Sequence, residues 1–570
     1  MIADTMADRV LFTSDKEIAT IKSDNKAVGL EYCTVERASR PNVTSDPAFH
    51  YSPETFDPMR ANPWERVGVR TVKTQCRDYI LATGRETGAA AVAGKRADPI
   101  TGMFTGVQPK TYLGWPVAGC FPAPSGLVLL CTAEKPPSEK TGEPGEDVLF
   151  VATGKDFSQK QEVLRIHGRE WQNTTPLWTN GGRLLVIRRG PASSEIDEYD
   201  LQGHATNTIT RSKWGIYNLH LSSDDRYLFA TREEPNVPPQ FCRIDLQNGG
   251  IVLLDQLNPR FATITMPSYK PMSIANEYGD VVNGYLFEPM TDDHKPHPFI
   301  AIRGMDEDGF ALGTGEECPG LVLAAEGYYV FFFEMSSLPY HPSSRGDTAY
   351  TLLRWKSPLA SISKLIDDLA TQSLVDKSQT GIAGLSAGAD LVDYASAFSN
   401  TFHAGEATTG EVPAPPNYLL FENWRVKRFF AESMSIPFPD PAGIEKWSSV
   451  SATVNASHAT MPMLFQAPDS EALLGFWQPA AMIRAGVPAD LYVYPDEGHI
   501  KVHPMNRYYV MTRNLQWFDF WLHSVEDPRP EFADQFKRWE QMRADWEKRK
   551  SLQTQSPSSS KAEPNPARQN

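Results

Sequence analysis

A serine in residues 380–390, TGIAGLSAGAD, has the residue type and the spacing of a nucleophile. The apolar residues before Ser386 predict a short strand, and the residues after it predict a helix. This is the pattern G-x-S-x-G, in which the serine lies on a tight strand-to-helix turn and its Oγ projects into a cleft. Such a turn leaves no room for side chains at Gly384 and Gly388. The backbone N–H of Ala387, at the helix N-terminus, would stabilise an oxyanion.

A serine hydroxyl is a weak nucleophile without a base, and the sequence after the turn supplies candidates for its partners. A predicted strand at 461–466 is followed by Asp469, and a later strand at 490–494 is followed by His499. The order serine, aspartate, histidine is that of α/β-hydrolases. His499 would accept the proton of Ser386 and deliver it to the leaving group, and Asp469 would fix the imidazole tautomer.

Neighbouring residues of the same types remain as alternatives. Glu471 and Asp496 compete with Asp469 for the role of the acid, and His503 competes with His499 for the role of the base. Asp469 would also fit as a cap for the helix predicted to begin at Ala472. We nevertheless expect Ser386, Asp469 and His499 to form the triad, since all three follow strands whose carboxyl ends meet at one edge of a sheet.

From about residue 266 the sequence alternates strands with amphipathic helices, which predicts a doubly wound, mostly parallel sheet. The predicted elements before the serine are a hairpin at 273–289, strands at 299–303 and 328–333, and helices at 321–327 and 358–374. The expectation is therefore an α/β-hydrolase domain at 266–525, a C-terminal helix at 526–548 and a low-complexity, disordered tail at 549–570.

Residues 1–265 predict an all-β, propeller-like domain, complete or partial, with no fold assigned to the first hundred residues. Short strands separated by Gly- and Pro-rich turns prevail here. The segments 177–203 and 219–249 are similar to each other, since each consists of strand, polar turn, strand, loop and a strand that ends in Asp-Leu-Gln. Such recurrence is typical of propeller blades, and an irregular β-sandwich is the alternative.

The composition excludes several classes of function. A formal net charge of −15 argues against a nucleic-acid partner, because phosphates are bound by clustered Lys and Arg. No apolar run has the length of a membrane span, and the N-terminal residues lack the features of a signal peptide, so we expect a cytoplasmic protein. No metal-binding spacing is present, and we expect neither a metal nor a cofactor. Reduced, partly buried thiols are expected for the six widely spaced cysteines, Cys33, Cys76, Cys120, Cys131, Cys242 and Cys318, and a disulfide between some pair, which the sequence does not specify, is the alternative.

The sequence resembles the prolyl oligopeptidase-like serine peptidases, in which a β-propeller precedes an α/β-hydrolase domain, and more narrowly the lasso peptide isopeptidases of that group. The resemblance covers residues 273 to about 524. It is carried by the stretches 357–376, 381–395, 466–475 and 494–522. It implies a triad of Ser386, Asp469 and His499, a small peptide substrate, and hydrolysis of the isopeptide bond that closes the ring of a lasso peptide.

Two departures from the family pattern concern the oxyanion hole. The residue after the nucleophile, Ala387, is smaller than in the relatives, which alters the pocket shape and keeps the backbone N–H. The loop 303–310, RGMDEDGF, lacks the tyrosine that supplies the second oxyanion donor in the family. Loss of one such donor costs about 10²–10³ in turnover. A backbone N–H or Arg303 would have to substitute for it.

Other functions of the same residues stay open at this point. A broader oligopeptidase, aminopeptidase or esterase would use the same triad, since the choice of leaving group depends on the shape of the pocket. A protein of another class, a weakened enzyme that binds peptides without turnover, is suggested by the missing tyrosine. The sequence does not specify the oligomeric state.

Overall fold

The computed structural model describes the backbone of residues 9–14, 17–24, 27–35, 49–51 and 74–83, and most of 109–555. The gaps in the last range are 126, 136–145, 155–156, 168–172, 191–192, 292, 294, 305–308, 314, 334–347, 411–413 and 421–442. Side chains are described only from residue 109 onward. Residues 556–570, most of the tail predicted to be disordered, lie outside the described part.

The N-terminal half is built from antiparallel sheets of consecutive strands. The first sheet has the order β1-β2-β3-β5, and the next has the order β10-β9-β8-β7-β6. Two further four-stranded sheets have the orders β11-β12-β13-β14 and β15-β16-β17-β18. The strands are β1 Arg9–Ser14, β2 Glu17–Asp24, β3 Ala27–Val35, β4 Phe49–Tyr51, β5 Thr74–Thr83, β6 Thr111–Tyr112, β7 Trp115–Pro122, β8 Leu129–Lys135, β9 Glu146–Thr153, β10 Gln159–His167, β11 Thr174–Trp178, β12 Leu184–Gly190, β13 Ser193–Tyr199, β14 Ala205–Ser212, β15 Gly215–Leu221, β16 Tyr227–Glu234, β17 Val237–Asp245 and β18 Ile251–Asp255.

The two similar segments of the sequence, 177–203 and 219–249, lie in separate four-stranded sheets that pack face to face. This packing is visible at strand β12, whose apolar residues are buried on both of its faces. Leu184 packs in a cluster with side chains of β8 to β10, whereas Leu185 packs in a cluster with side chains of β15 to β17. Since side chains alternate along a strand, the sheet β11–β14 contributes to two hydrophobic layers, one with the preceding sheet and one with the following sheet.

A disulfide joins Cys120 of β7 to Cys131 of β8. The expectation of reduced thiols is therefore wrong for this pair, whereas Cys242 and Cys318 are free and buried. The two strands are antiparallel, and their register places Cys120 directly opposite Cys131, with a Cα–Cα distance of 4.1 Å. Register between strands is not visible in the spacing of cysteines along the chain, which is why the sequence did not identify the pair.

The C-terminal half contains a nine-stranded sheet with the order β19-β20-β22-β21-β23-β24-β25-β26-β4. The strands from β22 to β26 in this order are parallel neighbours, as expected for a doubly wound sheet. The edge strand β4 pairs antiparallel with β26 and comes from the N-terminal residues, outside the range 266–525 predicted for this domain. The strands are β19 Tyr269–Ala275, β20 Val281–Phe287, β21 His297–Arg303, β22 Tyr329–Phe333, β23 Val375–Leu385, β24 Ala404–Thr408, β25 Met463–Pro468 and β26 Ala489–Tyr494.

Helices cover both faces of this sheet. On one face α2, α3, α5 and α7 pack against the sheet around Trp355 and Trp447. On the other face α1, α8 and α9 pack around Trp517 and Trp539. The helices are α1 Gly320–Ala325, α2 Thr348–Thr371, α3 Ala387–Phe398, α4 Pro415–Leu420, α5 Ile444–Val450, α6 Ala472–Gly475, α7 Trp477–Arg484, α8 Pro504–Phe518 and α9 Ala533–Gln555.

The C-terminal helix begins and ends later than the sequence predicts. The expected range was 526–548, whereas α9 continues to Gln555. Its first turns are fixed by apolar contacts, since Phe536 and Trp539 lie in the core on one face of the sheet. Within the described part of the chain, no helix is long and apolar enough to cross a membrane.

We predict that the Cys120–Cys131 bond contributes about 3 kcal/mol to the free energy of unfolding, because it closes a loop of the unfolded chain. Chemical denaturation of the protein with and without reductant measures this loss. In the variant Cys120→Ala/Cys131→Ala the effect of the reductant should be smaller by this amount, and in Cys242→Ala, which lacks one buried free thiol, the full effect should persist. Equal unfolding curves with and without reductant would contradict the prediction.

Candidate active site

Ser386 lies between β23 and α3, at the carboxyl end of a central strand of the nine-stranded sheet. Its backbone angles, φ 58° and ψ −121°, fall in a region that L-residues rarely occupy. The Ser386 N–H donates to the carbonyl of Thr408, and its carbonyl accepts the N–H of Asp390 in the first turn of α3. The strained turn leaves Ser386 and Ala387 partly exposed while the residues on either side are buried. The predicted strand–turn–helix geometry around the serine is therefore present.

The two glycines of the turn are required by close backbone contacts. A Cβ on Gly384 would lie 2.5 Å from the carbonyl carbon of Gly388, which is closer than van der Waals contact allows. A Cβ on Gly388 would lie 3.0 Å from the Cβ of Arg303, at the end of β21. The end of β21 at Arg303 thus lies against the start of α3, next to Ser386 in the chain.

His499 lies in the loop between β26 and α8, and its Nδ1 is 2.9 Å from Oε2 of Glu471. The residue that the sequence favours for this contact, Asp469, lies beside Glu471 in the turn after β25 and makes different contacts. Its two carboxylate oxygens accept the backbone N–H groups of Asp496 and Glu497 at 3.0 and 3.4 Å. The structure therefore brings Glu471 and His499 together. Asp469 instead holds the start of residues 495–503, which we call the histidine loop.

The difference follows from the geometry of the turn after β25. Residues Asp469–Glu471 form one turn of 3-10 helix, so their side chains point in different directions. Asp469 is short and faces the backbone of the histidine loop, whereas Glu471 has the extra methylene needed to reach the imidazole. The alternative base, His503, is engaged otherwise, because its Nδ1 lies 2.9 Å from Oε1 of Glu497. That contact raises the pKa of His503.

Glu497 fixes the end of the histidine loop at the start of α8. Its carboxylate accepts the backbone N–H groups of Val502 and His503 at 2.8 and 3.0 Å, and it also accepts the amide of Asn506. These hydrogen bonds satisfy N–H groups at the beginning of α8, and the carboxylate lies where the helix dipole favours a negative charge. Although burial opposes it, the hydrogen bond with the imidazole of His503, together with those from the Val502 N–H and Asn506, holds the pKa of Glu497 below its usual value.

A buried ion pair lies deeper under the same loop. The ammonium of Lys501, fully buried, is 2.9 Å from Oε2 of Glu317 and 2.6 Å from Oγ1 of Thr409. The backbone N–H of Lys501 donates to the other oxygen of Glu317 at 2.8 Å. Sequence reasoning assigned no role to these residues, since neither a lone Lys nor a Glu in a loop carries a spacing signal.

Glu406 of β24 is a second buried carboxyl group near this pair. Burial raises its pKa to about 8, and the negative charge of Glu317 adds to the effect, whereas a hydrogen bond from Thr408 and the charge of Lys501 oppose it. At neutral pH Glu406 is therefore largely protonated. Among the described residues, no cluster of three or more His, Cys, Asp or Glu side chains could hold a metal ion.

The hairpin between β16 and β17 reaches from the N-terminal half to the segment that follows β21. The carboxylate of Glu233 accepts the backbone N–H of Phe310 at 3.1 Å, and the carbonyl of Pro235 accepts the N–H of Ala311 at 3.0 Å. Residues 305–308, the middle of the loop in which the family tyrosine is missing, lie outside the described residues. The hairpin thus fixes the C-terminal end of that loop, a role that the sequence did not reveal.

Comparison with known proteins shows what the part of the chain around this site is similar to. Residues 355–525 match the Prolyl oligopeptidase family, and this range contains Ser386, Glu471 and His499. The chain is 28% identical to the lasso peptide isopeptidase AtxE2 of Asticcacaulis excentricus over 412 residues, which are 67% of this chain and 56% of that protein. It is 22% identical to dipeptidyl-peptidase 5 of Porphyromonas endodontalis, over 58% of this chain and 48% of the relative. The chain thus matches about half the length of these relatives.

Solved structures give the same fold. AtxE2 isopeptidase with Astexin3-dC4 bound superposes with a TM-score of 0.59 at 19% identity, covering 93% of this chain and 84% of that one. Puromycin hydrolase superposes with a TM-score of 0.53 at 13% identity, covering 91% of this chain and 70% of that one. The expected architecture, an α/β-hydrolase domain with an N-terminal β domain, is confirmed at this level.

The raised pKa of Glu406 predicts a pH dependence of stability. In the unfolded chain this carboxyl group ionises near its ordinary value of 4.5, whereas in the folded protein it stays protonated up to about pH 8. The unfolded state then binds fewer protons, so the group's contribution is complete below about pH 4.5 and falls as the pH rises towards 8, by at most about 1.4 kcal/mol per pH unit.

The measurement is chemical denaturation of the protein and of Glu406→Gln at several values between about pH 5 and 8. The variant cannot ionise at this position, so its free energy of unfolding should decrease less over this range. Glu445→Gln, an exposed position on α5, should follow the unmutated protein. Parallel curves for the protein and Glu406→Gln would contradict the assignment.

Proposed function

We propose that this chain, a serine peptidase with a prolyl oligopeptidase family domain at residues 355–525, hydrolyses the isopeptide bond of a lasso peptide. The observation that carries the proposal is the strained turn at Ser386 together with the 2.9 Å contact between His499 and Glu471. Acyl transfer requires a nucleophile and a base. Here a partly exposed serine lies at the carboxyl end of a central strand, and a histidine is oriented by a carboxylate.

In the proposed reaction the Oγ of Ser386 attacks the carbonyl carbon of the isopeptide bond. The proton of the hydroxyl passes to Nε2 of His499, whose Nδ1–H donates to Glu471, so that the imidazolium forms beside a negative charge. The oxyanion of the tetrahedral intermediate is stabilised by the N–H of Ala387, which lies at the N-terminus of the twelve-residue helix α3.

Collapse of this intermediate breaks the bond to the nitrogen, and His499 returns the proton to the leaving amine. An acyl-enzyme on Ser386 remains. A water molecule, deprotonated by His499, then attacks the acyl carbon and releases the carboxyl group and the free serine. The net change is the addition of one water to the peptide, which converts a ring into a linear chain. This sequence needs no cofactor.

For the acid of the triad we propose Glu471, in place of Asp469. The carboxylate of Glu471 lies 2.9 Å from the imidazole, whereas the carboxylate of Asp469 holds the backbone of Asp496 and Glu497. Both residues lie in the turn that follows β25, the position of the acid in α/β-hydrolases, so either assignment is compatible with the order of the triad.

The substrate class is inferred from the relatives. A curated relative is named a lasso peptide isopeptidase, and a structural neighbour was solved with Astexin3-dC4 bound. We further propose that the face-to-face sheets of residues 109–255 belong to a propeller-like domain, which admits a compact peptide and excludes folded proteins. The face-to-face packing on both sides of β12 is the arrangement that neighbouring propeller blades have.

The compartment in which the enzyme works is proposed from the disulfide. The N-terminal residues favour the cytoplasm, but cytoplasmic proteins rarely keep disulfides, because cellular thiols reduce them. The Cys120–Cys131 bond lies between two strands in a buried part of the N-terminal half. We therefore favour an oxidising compartment, and a peptide map of the unreduced protein isolated from its own cells, with this pair linked, would support it.

The assignment of the acid predicts different effects of two conservative substitutions. Glu471→Gln should lower kcat by about 10²–10⁴ with little change in KM, because a neutral amide no longer stabilises the imidazolium or fixes its tautomer. Asp469→Asn keeps an acceptor for backbone N–H groups, so it should cost less than about tenfold in kcat. Steady-state kinetics of both variants beside the unmutated protein measures this. The reverse order of effects would make Asp469 the acid of the triad.

Mass spectrometry tests the proposed reaction itself. Purified protein incubated with a lasso peptide should increase the mass of the peptide by one water and give a linear product, and Ser386→Ala should leave the peptide unchanged. Labelling of Ser386 by a fluorophosphonate without ring opening would indicate a serine hydrolase with another substrate, such as a linear oligopeptide or an ester. Binding of the peptide with neither turnover nor labelling would indicate a peptide-binding protein.

A further inference from the structure

The histidine loop contains a buried cation that the proposed reaction does not use. Lys501 follows His499 by two positions, and its side chain is fully excluded from solvent together with its partner Glu317. Burying an ammonium is costly, and a buried ion pair is no more stabilising than apolar side chains of the same size. A buried pair at this position therefore suggests a role other than stability.

Lys501 connects three separate parts of the chain. Its ammonium is 2.9 Å from Glu317, in the segment between β21 and α1, and 2.6 Å from Oγ1 of Thr409, directly after β24. It also lies 3.4 Å from the carbonyl of Gln466 in β25. An apolar side chain could fill this volume, but it could not fix the direction of the loop relative to all three segments.

The contacts of Glu317 add a second constraint on the same residue. One carboxylate oxygen accepts the backbone N–H of Lys501, and the other binds the ammonium. Both the main chain and the side chain of Lys501 are therefore held by one carboxylate. On the other side of His499, Asp469 holds the backbone N–H groups of Asp496 and Glu497. The imidazole thus lies between two anchored points of a short loop.

The same contacts relate the histidine to the nucleophile. Thr409 follows Thr408, whose carbonyl accepts the N–H of Ser386. The path from the ammonium to the backbone of the serine therefore runs through Thr409 and one peptide unit of the chain. A displacement of Lys501 would change the position of His499 relative to Ser386, and displacements of 1 Å in a catalytic site can cost about 10²-fold in rate.

We propose that Lys501, paired with Glu317, is a positioning residue that sets His499 against Ser386 for proton transfer. The proposal rests on the function proposed above for Ser386 and His499. Because Lys501 is fully buried, it acts on the reaction through the loop, without a contact to the substrate. Its loss should therefore lower the rate of the chemical step and leave the binding of the peptide nearly unchanged.

The test is the variant Lys501→Met/Glu317→Gln, which removes both charges of the pair, keeps the length at position 317 and shortens the side chain at position 501 by one atom. We expect kcat for ring opening of a lasso peptide to fall at least tenfold, with KM changed less than about twofold. Labelling of Ser386 by a fluorophosphonate should slow to a similar degree. Amide hydrogen exchange should increase at residues 500–503 and stay unchanged in α3.

The matched control is Asp280→Asn/Ser357→Ala, which removes another buried hydrogen-bonded pair that joins α2 to the turn before β20, on an element that does not carry the histidine. It should lower the melting temperature without lowering kcat. Thr409→Val, which removes only the 2.6 Å contact, provides a milder variant in case the double variant does not fold, and it should lower kcat in the same direction.

The possible outcomes distinguish a failure of this proposal from a failure of the proposed function on which it rests. Normal kcat and normal labelling in both Lys501→Met/Glu317→Gln and Thr409→Val would overturn the positioning role and leave the proposed function intact. An equal loss of kcat in the control would also overturn it, because the effect would then be one of general stability. Absence of both turnover and labelling in the unmutated protein would overturn the proposed function and, with it, this inference.

Discussion

The site depends on one constraint, the parallel register of the strands at the centre of the nine-stranded sheet. Because β21, β23, β24, β25 and β26 run in the same direction, their carboxyl ends lie at one edge. The first of these strands ends at Arg303, and the segments that follow the other four carry Ser386, Thr409, Glu471 and His499 in turn. Residues far apart in the sequence are thereby brought within reach of one another, and each needs only a short loop to point into the cleft.

Within that frame, hydrogen bonds to backbone groups decide how the histidine loop runs. Asp469 and Glu497 are both acidic residues next to catalytic candidates, yet both bind N–H groups of the loop. A carboxylate that accepts several N–H groups fixes a turn that the chain would otherwise visit only briefly. Glu471, at the end of the 3-10 turn, is the carboxylate that reaches the imidazole. The carboxylate that contacts the histidine is therefore a different one from the two carboxylates that fix the backbone around it.

The sequence predicts best those features that a local steric requirement enforces. The turn at Ser386 could be predicted because its positive φ and the close approach of Gly384 to Gly388 leave a recognisable pattern. The parallel sheet could be predicted from alternating strands and helices. The contact of His499 could not be assigned, since Asp469 and Glu471 differ by two positions within one turn, and only the three-dimensional path of that turn distinguishes them.

Features that depend on pairing between distant strands left no local signal. The disulfide follows from the register of β7 and β8, and the pairing of β4 with β26 joins residue 51 to residue 491. The contact of Glu233 with the N–H of Phe310 is of the same kind, because it requires the N-terminal half to be packed against the loop after β21. The hairpin between β16 and β17 therefore holds, from the other half of the chain, Phe310 and Ala311 at the described start of the segment that leads to α1.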